Sequence, residues 1–267
     1  MIYLMLQPGQ HIYYDHIFYK SSEIVPEKFQ KHSHNTFEIL FFEKGDATYV
    51  IEDKKYKLHK NDLIFIRPTR YHYIELSPDS NYARINIAFD DTVVDSNVLA
   101  SIPSFVEAVN CPKESVLAGI FTRMEYYRKV LSESGFQDIL QALIKEIVYN
   151  LSVITEDPTN DSARFSPILS KAIEYIQNNL TTIKHIKEIS DHLYVSPQYL
   201  FRIFDEQIQI TPKKYINTKR LLYAQSLIRQ GAKPTEVYLL CGFESYPGFY
   251  KQYINNFGYP PSKEKTI

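Results

Sequence analysis

The stretch "CGFESYPGFYKQYINNFGYPPS", from Cys241 to Ser262, decides the fold of the C-terminal half of the chain. Ser245 followed closely by Pro247 has the form of a helix start, because serine caps a first turn and proline is accommodated within it. Aromatic residues then recur at helical spacing, namely Phe249, Tyr253 and Phe257. We expect most of these rings to face a core, which leaves the residues at the helix start to contact a partner.

The same pattern occurs 49 residues earlier in the chain. Residues of like chemistry pair at this offset: Ser196 with Ser245, Leu200 with Phe249, Arg202 with Lys251, Phe204 with Tyr253, Ile208 with Phe257, and Pro212 with Pro261. Each copy has a short helix, a tight turn and a second helix with an apolar face, which is the outline of a helix-turn-helix unit. The predicted turns are 193–195 and 242–244.

The chain after Pro167 is expected to be helical to its end. The predicted helical segments are 168–180, 183–193, 196–207, 212–229, 235–241 and 246–257. Two of them begin with the same signal of a capping residue followed by proline, at Ser196-Pro197 and Thr211-Pro212. This half of the chain is therefore predicted to be an all-α domain with two helix-turn-helix units.

The N-terminal half has a different period. From Phe37 to Phe89 short apolar or alternating runs are broken by polar turns, which favours the strands of a sandwich or barrel. Helical spacing then predicts helices at 115–131 and 134–154. The polar, proline-containing stretch "TEDPTNDSARFSP" (155–167) is the predicted linker. We expect an α+β multidomain protein, with a β-barrel and two linking helices in residues 1–160 and the helical domain in residues 161–267.

Composition narrows the class of protein. The 267 residues suffice for two domains, and the two cysteines, Cys111 and Cys241, fit a reducing cytoplasm. Neither a signal peptide nor an apolar run long enough for a membrane span is evident, so a cytoplasmic protein without a membrane partner is expected. Residues 1–164 hold 17 basic and 23 acidic residues, whereas residues 165–267 hold 13 and 8. A net charge of +5 on the C-terminal half indicates a polyanionic partner.

The C-terminal motifs resemble those of the AraC/XylS family of transcription regulators. The resemblance lies in "ISDHLYVSPQYLFRIF", "TPKKYINTKRLLYAQSLI" and the opening stretch, and it covers about the last hundred residues. It implies binding to double-stranded promoter DNA, with the second helix of each unit entering the major groove by its N-terminal residues. The residues implied to contact DNA are Ser196, Gln198, Phe201, Arg202, Ser245, Tyr246, Pro247, Tyr250 and Lys251. Gln198 suits adenine, and Arg202 suits guanine or phosphate.

Two residues depart from the family pattern. Residue 238, usually small, is a tyrosine here, and Lys251 replaces the usual arginine, so a planar fork of donors becomes a point charge. Glycine inside a helix is unfavourable, so Gly248 invites a packing reason. We expect the Tyr238 ring to lie over or beside Gly248.

The N-terminal half resembles a cupin barrel. The stretch "HSHNTFEILFFEKG" places His32, His34 and Glu38 at the spacing seen in metal-binding cupins, and His72 follows. Three imidazoles and a carboxylate suit Fe, Mn, Ni or Zn. Three alternatives stay open for these residues: a metal site, a polar wall for a sugar-like effector, and purely structural histidines. No cofactor is expected, and no metal is required; if one binds, these four residues are its ligands.

Other N-terminal residues have uses that the sequence leaves open. Arg67, Arg70 and Arg84 are available for a carboxylate or phosphate, but the side to which they face is not determined. Aromatic residues that suit either a sugar ring or the barrel core are Tyr14, Phe18, Phe37, Phe41, Tyr49, Phe65 and Tyr73. The helices at 115–131 and 134–154 resemble dimerising helices of sugar-responsive family members, or else only cover the barrel.

Together these features predict a ligand-responsive, sequence-specific DNA-binding transcription regulator and not an enzyme. The resemblance implies a homodimer that activates carbohydrate-related genes in response to a sugar and contacts RNA polymerase. The alternatives are a cupin metalloprotein, either a metal sensor or a metalloenzyme, fused to a DNA-binding module, and a ligand-independent regulator.

Overall fold

The computed structural model describes residues 10–23, 31–77, 80–156, 163–164 and 166–264. The chain divides into two compact units, one of residues 1–51 and 55–162 and the other of residues 52–54 and 163–267. The predicted domain boundary between residues 160 and 161, and most of the predicted linker, lie outside the described residues. No helix in the described part of the chain is long and apolar enough to cross a membrane.

The N-terminal unit is built from strands followed by helices. The strands are β1 (Ile12–Tyr19), β2 (Phe37–Lys44), β3 (Ala47–Ile51), β4 (Lys54–Lys57), β5 (Asp62–Ile66), β6 (His72–Leu76), β7 (Tyr82–Phe89) and β8 (Ala108–Asn110). The helices are α1 (Ser96–Ser101), α2 (Val116–Val130) and α3 (Glu133–Ser152), and Ser21–Glu23 forms one 3₁₀ turn. The strands and helices predicted over 37–89, 115–131 and 134–154 are thus confirmed.

The strands form two sheets. One has the order β1-β7-β2-β5-β8, and the other places β6, β3 and β4 side by side. Neighbouring strands β2 and β7 are antiparallel, as are β3 and β6. The predicted fold class, a β-rich N-terminal domain with linking helices before a helical domain, is confirmed; in the residues described, the two sheets are not closed into a single ring.

The two faces of the larger sheet pack against different cores, because side chains alternate between the two faces along a strand. On β2, Ile39 and Phe41 face a core formed with α2 and α3, and the Phe41 ring stacks 4.1 Å from that of Phe121. Leu40 and Phe42 belong to a second core with residues of β3, such as Tyr49. The second core occupies the interior between the two sheets.

The C-terminal unit is helical, apart from the short strand β9 (Ala163–Arg164). Its helices are α4 (Pro167–Asn178), α5 (Ile186–His192), α6 (Pro197–Ile208), α7 (Pro212–Arg229), α8 (Pro234–Leu240) and α9 (Tyr246–Phe257), and a 3₁₀ turn follows at Pro261–Lys263. The predicted caps are confirmed: the side-chain oxygens of Ser196, Thr211 and Ser245 accept the backbone N–H three residues on. The helices lie where the sequence predicts them, within a few residues.

The two helix-turn-helix units have the same hydrogen bond in their turns. The N–H of Val195 donates to the carbonyl of Ser190 at 2.9 Å, and the N–H of Phe243 donates to the carbonyl of Tyr238 at the same distance. A left-handed residue closes each first helix, Tyr194 with φ 55° and Gly242 with φ 80°. This is the Schellman form of helix end. Glu244 is the additional residue between the second turn and α9.

Gly242 lies at a junction where a side chain has no room. A Cβ atom on Gly242 would lie 2.4 Å from the carbonyl oxygen of Thr181 and 3.1 Å from the guanidinium of Arg220. Arg220 in turn donates to the carbonyls of Leu180 and Ile183 at 2.8 and 2.5 Å. The turn after α4, the helix α7 and the second helix-turn-helix are therefore fixed to one another at this point.

A buried carboxylate joins the end of the chain to α7 and α9. Glu264 accepts hydrogen bonds from Tyr253 at 2.6 Å, Tyr259 at 2.9 Å, Gln225 at 3.0 Å and Arg229 at 2.7 Å. Burial alone would raise the pKa of Glu264, but the hydrogen bonds from Tyr253 and Arg229 outweigh burial and hold this pKa below its ordinary value. The folded state therefore favours the ionised form.

Gly242→Ala is expected to destabilise the C-terminal unit more than Gly258→Ala. Both glycines have φ +80°, but a Cβ on Gly258 would meet nothing within 4 Å. Gly258→Ala thus incurs only the left-handed backbone cost of about 1–2 kcal/mol. Gly242→Ala adds a clash with backbone, typically about 1–3 kcal/mol more. Urea denaturation followed by circular dichroism measures both, and equal losses would show that the Thr181 contact does not constrain the fold.

Glu264→Gln is expected to lower the free energy of unfolding at pH 7 by about 1.5–3 kcal/mol, because hydrogen bonds to a charged acceptor are weakened. A depressed folded pKa contributes stability above the unfolded value, near 4.5, that is lost as pH falls through the folded pKa. The difference between wild type and variant should therefore shrink below pH 4.5. Denaturation curves at several pH values test this, and a difference that is constant with pH would contradict it.

Candidate nucleic-acid interface and interior polar cluster

Helix α6 is amphipathic, with its buried side in the core of the first helix-turn-helix. Leu200, Ile203 and Phe204 are at most 2% exposed. Gln198, Phe201 and Arg202 are exposed on the other side, as is Ser196 at the cap. The residues predicted to contact DNA in this unit thus share one solvent-facing surface at the start of α6.

Arg202 has weak competing partners. Its guanidinium lies 5.1 Å from the centre of the Tyr199 ring, and its Nε atom lies 4.0 Å from Glu206 Oε1. Both side chains of the ion pair are about 60% exposed, so the pair contributes little to stability. Arg202 is therefore able to exchange Glu206 for a base or a phosphate at small cost.

Ser196 and Ser245 are used by the helices themselves. The Ser196 Oγ accepts from the N–H of Tyr199 at 3.1 Å, and the Ser245 Oγ accepts from the N–H of Gly248 at 3.3 Å. Each hydroxyl retains its hydrogen as a donor. The two serines can position the start of a reading helix and still donate to a phosphate oxygen.

Helix α9 has the same division between faces. Phe249, Tyr253 and Phe257 are buried. The residues Pro247, Tyr250 and Lys251 are exposed, and Tyr246 is half-buried. The exposed surface of this unit is thus richer in aromatic side chains than that of α6, and Lys251 supplies its cation.

The expected contact between Tyr238 and Gly248 is wrong. A Cβ atom on Gly248 would meet only the Ser245 Oγ, at 3.0 Å, and no atom of Tyr238 within 4 Å. The Tyr238 ring instead packs edge-on against Tyr246, with ring centres 5.8 Å apart. Tyr246 also lies 6.0 and 5.9 Å from the rings of Phe249 and Tyr250. The large residue at position 238 is accommodated by an aromatic cluster at the helix start.

Two exposed cations near this surface were not singled out from the sequence. Lys184 and Lys213 line a groove of about 420 Å³ that also contacts Gly242, Ser245 and Gly248 at the start of α9. Both lysines are exposed, and Lys213 lies in the first turn of α7. The signal in the sequence is the pair of lysines directly after Thr211-Pro212, which places cations at a helix start.

The histidines of the N-terminal unit converge with Glu38. The metal-ligating atoms of His32, His34, Glu38 and His72 all lie within 4.8 Å of one another. His34 Nε2 lies 2.9 Å and His72 Nε2 3.1 Å from the same Glu38 oxygen. Burial alone would raise the pKa of Glu38, but His72 and His34 outweigh burial and hold that pKa well below its usual range. The predicted residues therefore form a cluster that contains an anion and three nitrogen donors.

Backbone oxygens orient two of the histidine rings in this cluster. His34 Nδ1 faces the backbone oxygen of Thr36 at 3.1 Å, and His72 Nδ1 faces that of Arg70 at 2.9 Å. A carbonyl accepts a hydrogen bond from Nδ1–H, and this contact fixes the orientation of each histidine ring. The Tyr49 ring lies parallel to His72 at 6.2 Å. The rings of His34 and His72 therefore point their Nε2 atoms towards Glu38.

Of the three arginines, two have partners that account for their position. Arg67 donates to the backbone oxygens of Ile102, Pro103 and Val106, and Arg70 forms an ion pair with Glu107 at 2.9 Å. The Nη1 atom of Arg84 differs, because it is buried and has no hydrogen-bond partner among the described residues. Burial alone would lower the pKa of Arg84, but Tyr82 and Glu38 outweigh it and raise that pKa, so the guanidinium stays charged.

Comparison with known proteins places these features in one family. Residues 25–172 match the AraC-like ligand binding domain, and residues 189–266 match a helix-turn-helix domain. The uncharacterized HTH-type transcriptional regulator YbfI of Bacillus subtilis is 24% identical over 89% of this chain and 86% of its own. The HTH-type transcriptional activator RhaR of Salmonella arizonae is 24% identical over 90% of this chain and 88% of its own.

The chain is also similar to solved structures. ToxT from Vibrio cholerae O395 is 17% identical and covers 95% of both chains with a TM-score of 0.40. An AraC-type transcriptional regulator from Chromobacterium violaceum is 31% identical and covers 37% of this chain and 89% of its own, with a TM-score of 0.35.

A β-rich ligand-binding domain followed by a helix-turn-helix domain defines a DNA-binding regulator with a ligand-binding domain. The ligand-binding match alone spans more than half of the sequence, and the chain belongs to the AraC family of transcription regulators. The family consists of transcription regulators and not enzymes, so the metalloenzyme alternative is set aside.

Proposed function

We propose that this protein is a sequence-specific regulator that activates carbohydrate-related genes when a small-molecule effector binds its N-terminal domain. In this proposal residues 1–160 bind the effector and dimerise, and residues 161–267 bind promoter DNA. The observation that carries it is the pair of amphipathic helices α6 and α9, each with its apolar side buried and its N-terminal residues exposed.

The spacing of the two units supports simultaneous reading of two DNA segments. The helix α7 that joins them has 18 residues, which corresponds to about 27 Å at about 1.5 Å per residue. Adjacent entries to the major groove on one face of DNA are about 34 Å apart. One chain would thus read two segments about ten base pairs apart. In the first, Gln198, Phe201 and Arg202 contact bases, and in the second Tyr246, Pro247, Tyr250 and Lys251 do so, with Ser196 and Ser245 at phosphates.

Activation and dimerisation rest on separate observations. The RhaR relatives are named transcriptional activators, which favours activation and hence a contact with RNA polymerase in the cytoplasm. Apolar residues on α2 and α3 are exposed, namely Val116, Tyr126, Val130, Tyr149 and Val153. Such a surface on a ligand-binding domain suits a homodimer contact. Because two sites can be bound at once, dimerisation raises the affinity for a promoter with two copies.

The cluster of His32, His34, Glu38 and His72 supports a second candidate function, the sensing of a divalent metal. Three imidazoles and one carboxylate are a donor set for Fe, Mn, Ni or Zn. An ion about 2.1 Å from each ligand keeps any two ligand atoms within about 4.2 Å. The 4.8 Å spread requires only a small closure of the side chains. A bound ion would neutralise Glu38 of β2 and hold it close to His72 of β6.

The DNA proposal predicts a specific pattern of losses. Arg202→Ala should weaken binding by about 1–3 kcal/mol and relax base preference at one position of the first segment. Lys251→Ala should act on a second segment about ten base pairs away. Sequence selection from a random DNA library, followed by anisotropy titrations of each variant, measures both effects. Lys171→Ala, which removes an exposed cation on α4, outside both helix-turn-helix units, is the matched control. A selected site confined to one segment would contradict the proposal.

The metal proposal predicts one bound divalent ion per chain in protein purified without chelator, measured by elemental analysis. Removal of the ion should lower the melting temperature, since a ligand at a hundred times its dissociation constant adds about 2.7 kcal/mol. His34→Gln and His72→Gln should lose the ion. His59→Gln, which alters an exposed histidine outside the cluster, should retain it. Metal-free wild-type protein that gains no stability from added Zn²⁺, Mn²⁺, Ni²⁺ or Fe²⁺ would leave the cluster to an organic effector.

A further inference from the structure

A row of polar groups lines the interior between the two sheets. Antiparallel neighbours that lie opposite each other share a face. Arg84 of β7 is opposite Phe42, Asn86 is opposite Leu40, and Ala88 is opposite Glu38. Leu40 and Phe42 belong to the core between the sheets, so Arg84, Asn86 and Glu38 face the same interior. The row spans four residue steps, about 13 Å at about 3.3 Å per residue.

In the middle of this row, buried side-chain atoms lack hydrogen-bond partners among the residues that the structure describes. Asn86 is completely buried, and neither its amide nitrogen nor its amide oxygen has a hydrogen-bond partner among the residues described. The buried Nη1 atom of Arg84 likewise has no hydrogen-bond partner among the residues described. Most buried polar side chains in proteins are hydrogen-bonded, and each exception calls for an explanation. Two such residues on one face of one strand indicate a bound polar molecule.

The chemistry of the row specifies the kind of molecule. A guanidinium presents donors that match the two oxygens of a carboxylate. An asparagine offers one acceptor and two donors, which suit a hydroxyl group. The far end of the row holds Glu38 with His34 and His72, which offer further acceptors and donors. Arg67 and Arg70 do not compete for the carboxylate, because backbone oxygens and Glu107 hold them.

We propose that the interior binds a small hydroxylated carboxylate, of the sugar-acid class, with its carboxylate on Arg84 and a hydroxyl on Asn86. The remaining hydroxyls lie towards Glu38 and the histidines, whether or not those residues hold a metal. The Cα atoms of Arg84 and Asn86 are about 7 Å apart along the strand, which suits a molecule that carries its carboxylate and a hydroxyl at separate positions. This inference rests on the proposed effector role of the N-terminal domain and names the chemical class of the effector.

Thermal shift and calorimetry with the full chain test the class. The acid probes are D-glucuronate and D-gluconate, and D-glucose is the neutral counterpart of glucuronate, with a hydroxymethyl group in place of the carboxylate. The acids should raise the melting temperature in a concentration-dependent way, and glucose should do so at least tenfold more weakly. A response equal to that of glucose, or no response to either acid, overturns the proposal.

Two substitutions test the assigned residues. Arg84→Met should weaken binding of the acids by about 10- to 100-fold, since a charge-assisted hydrogen bond is lost. Arg123→Met removes the same charge from an exposed position on α2 and should have no effect. Unchanged binding by the Arg84 variant contradicts the assignment.

The stability of the ligand-free variants distinguishes a role of Arg84 and Asn86 in ligand binding from a purely structural role. Asn86→Leu replaces an unsatisfied amide with an apolar side chain of similar size, so the melting temperature should stay the same or rise while acid binding falls. If Asn86→Leu and Arg84→Met both melt several degrees lower without ligand, the two residues serve the fold and the proposal fails.

DNA binding separates this inference from the proposed function. Anisotropy titrations of wild-type protein on its selected DNA are run with and without each acid. Specific DNA binding together with no acid binding overturns the sugar-acid inference alone. Acid binding that leaves DNA affinity and dimerisation unchanged supports the inference on Arg84 and Asn86 and contradicts the effector role.

Discussion

The position of the second helix-turn-helix unit against α4 and α7 depends on the packing of Gly242 against Thr181 and Arg220. The backbone carbonyls after α4 need donors because they follow a helix end, and Arg220 of α7 supplies them. The same guanidinium and the Thr181 carbonyl leave no space for a Cβ at Gly242. One arginine and one glycine thus join the turn after α4 and the turn of the second helix-turn-helix unit to the linking helix α7.

Local signals account for the parts of the C-terminal unit that the sequence predicted. Capping residues before proline and an apolar period of 3.6 residues are properties of neighbouring positions, so helix starts and buried faces were correctly placed. The contact of Tyr238 was wrongly predicted, because the direction of a ring depends on neighbours from another helix. Nothing in the local sequence distinguishes packing against Gly248 from packing against Tyr246.

The N-terminal unit shows the same limit. The spacing of His32, His34 and Glu38 is a local pattern, and the cluster predicted from it together with His72 is present in the structure. The three arginines had no such pattern, because their facing depends on strand register and on loop carbonyls. Asn86 was not noticed at all, since a single asparagine in the run Arg84–Phe89 has no distinguishing signal until the strand is known to face an enclosed interior on that side.

The additional residue Glu244 makes the two helix-turn-helix units unequal. Helix α9 begins one residue later after its turn than α6 does, and it presents tyrosines and a lysine where α6 presents glutamine, phenylalanine and arginine. In the proposed mode of DNA binding, two unlike reading helices give the chain a polarity along the duplex. Inverting its target sequence within a promoter would therefore turn the whole protein around and exchange which head lies nearer to the start of transcription.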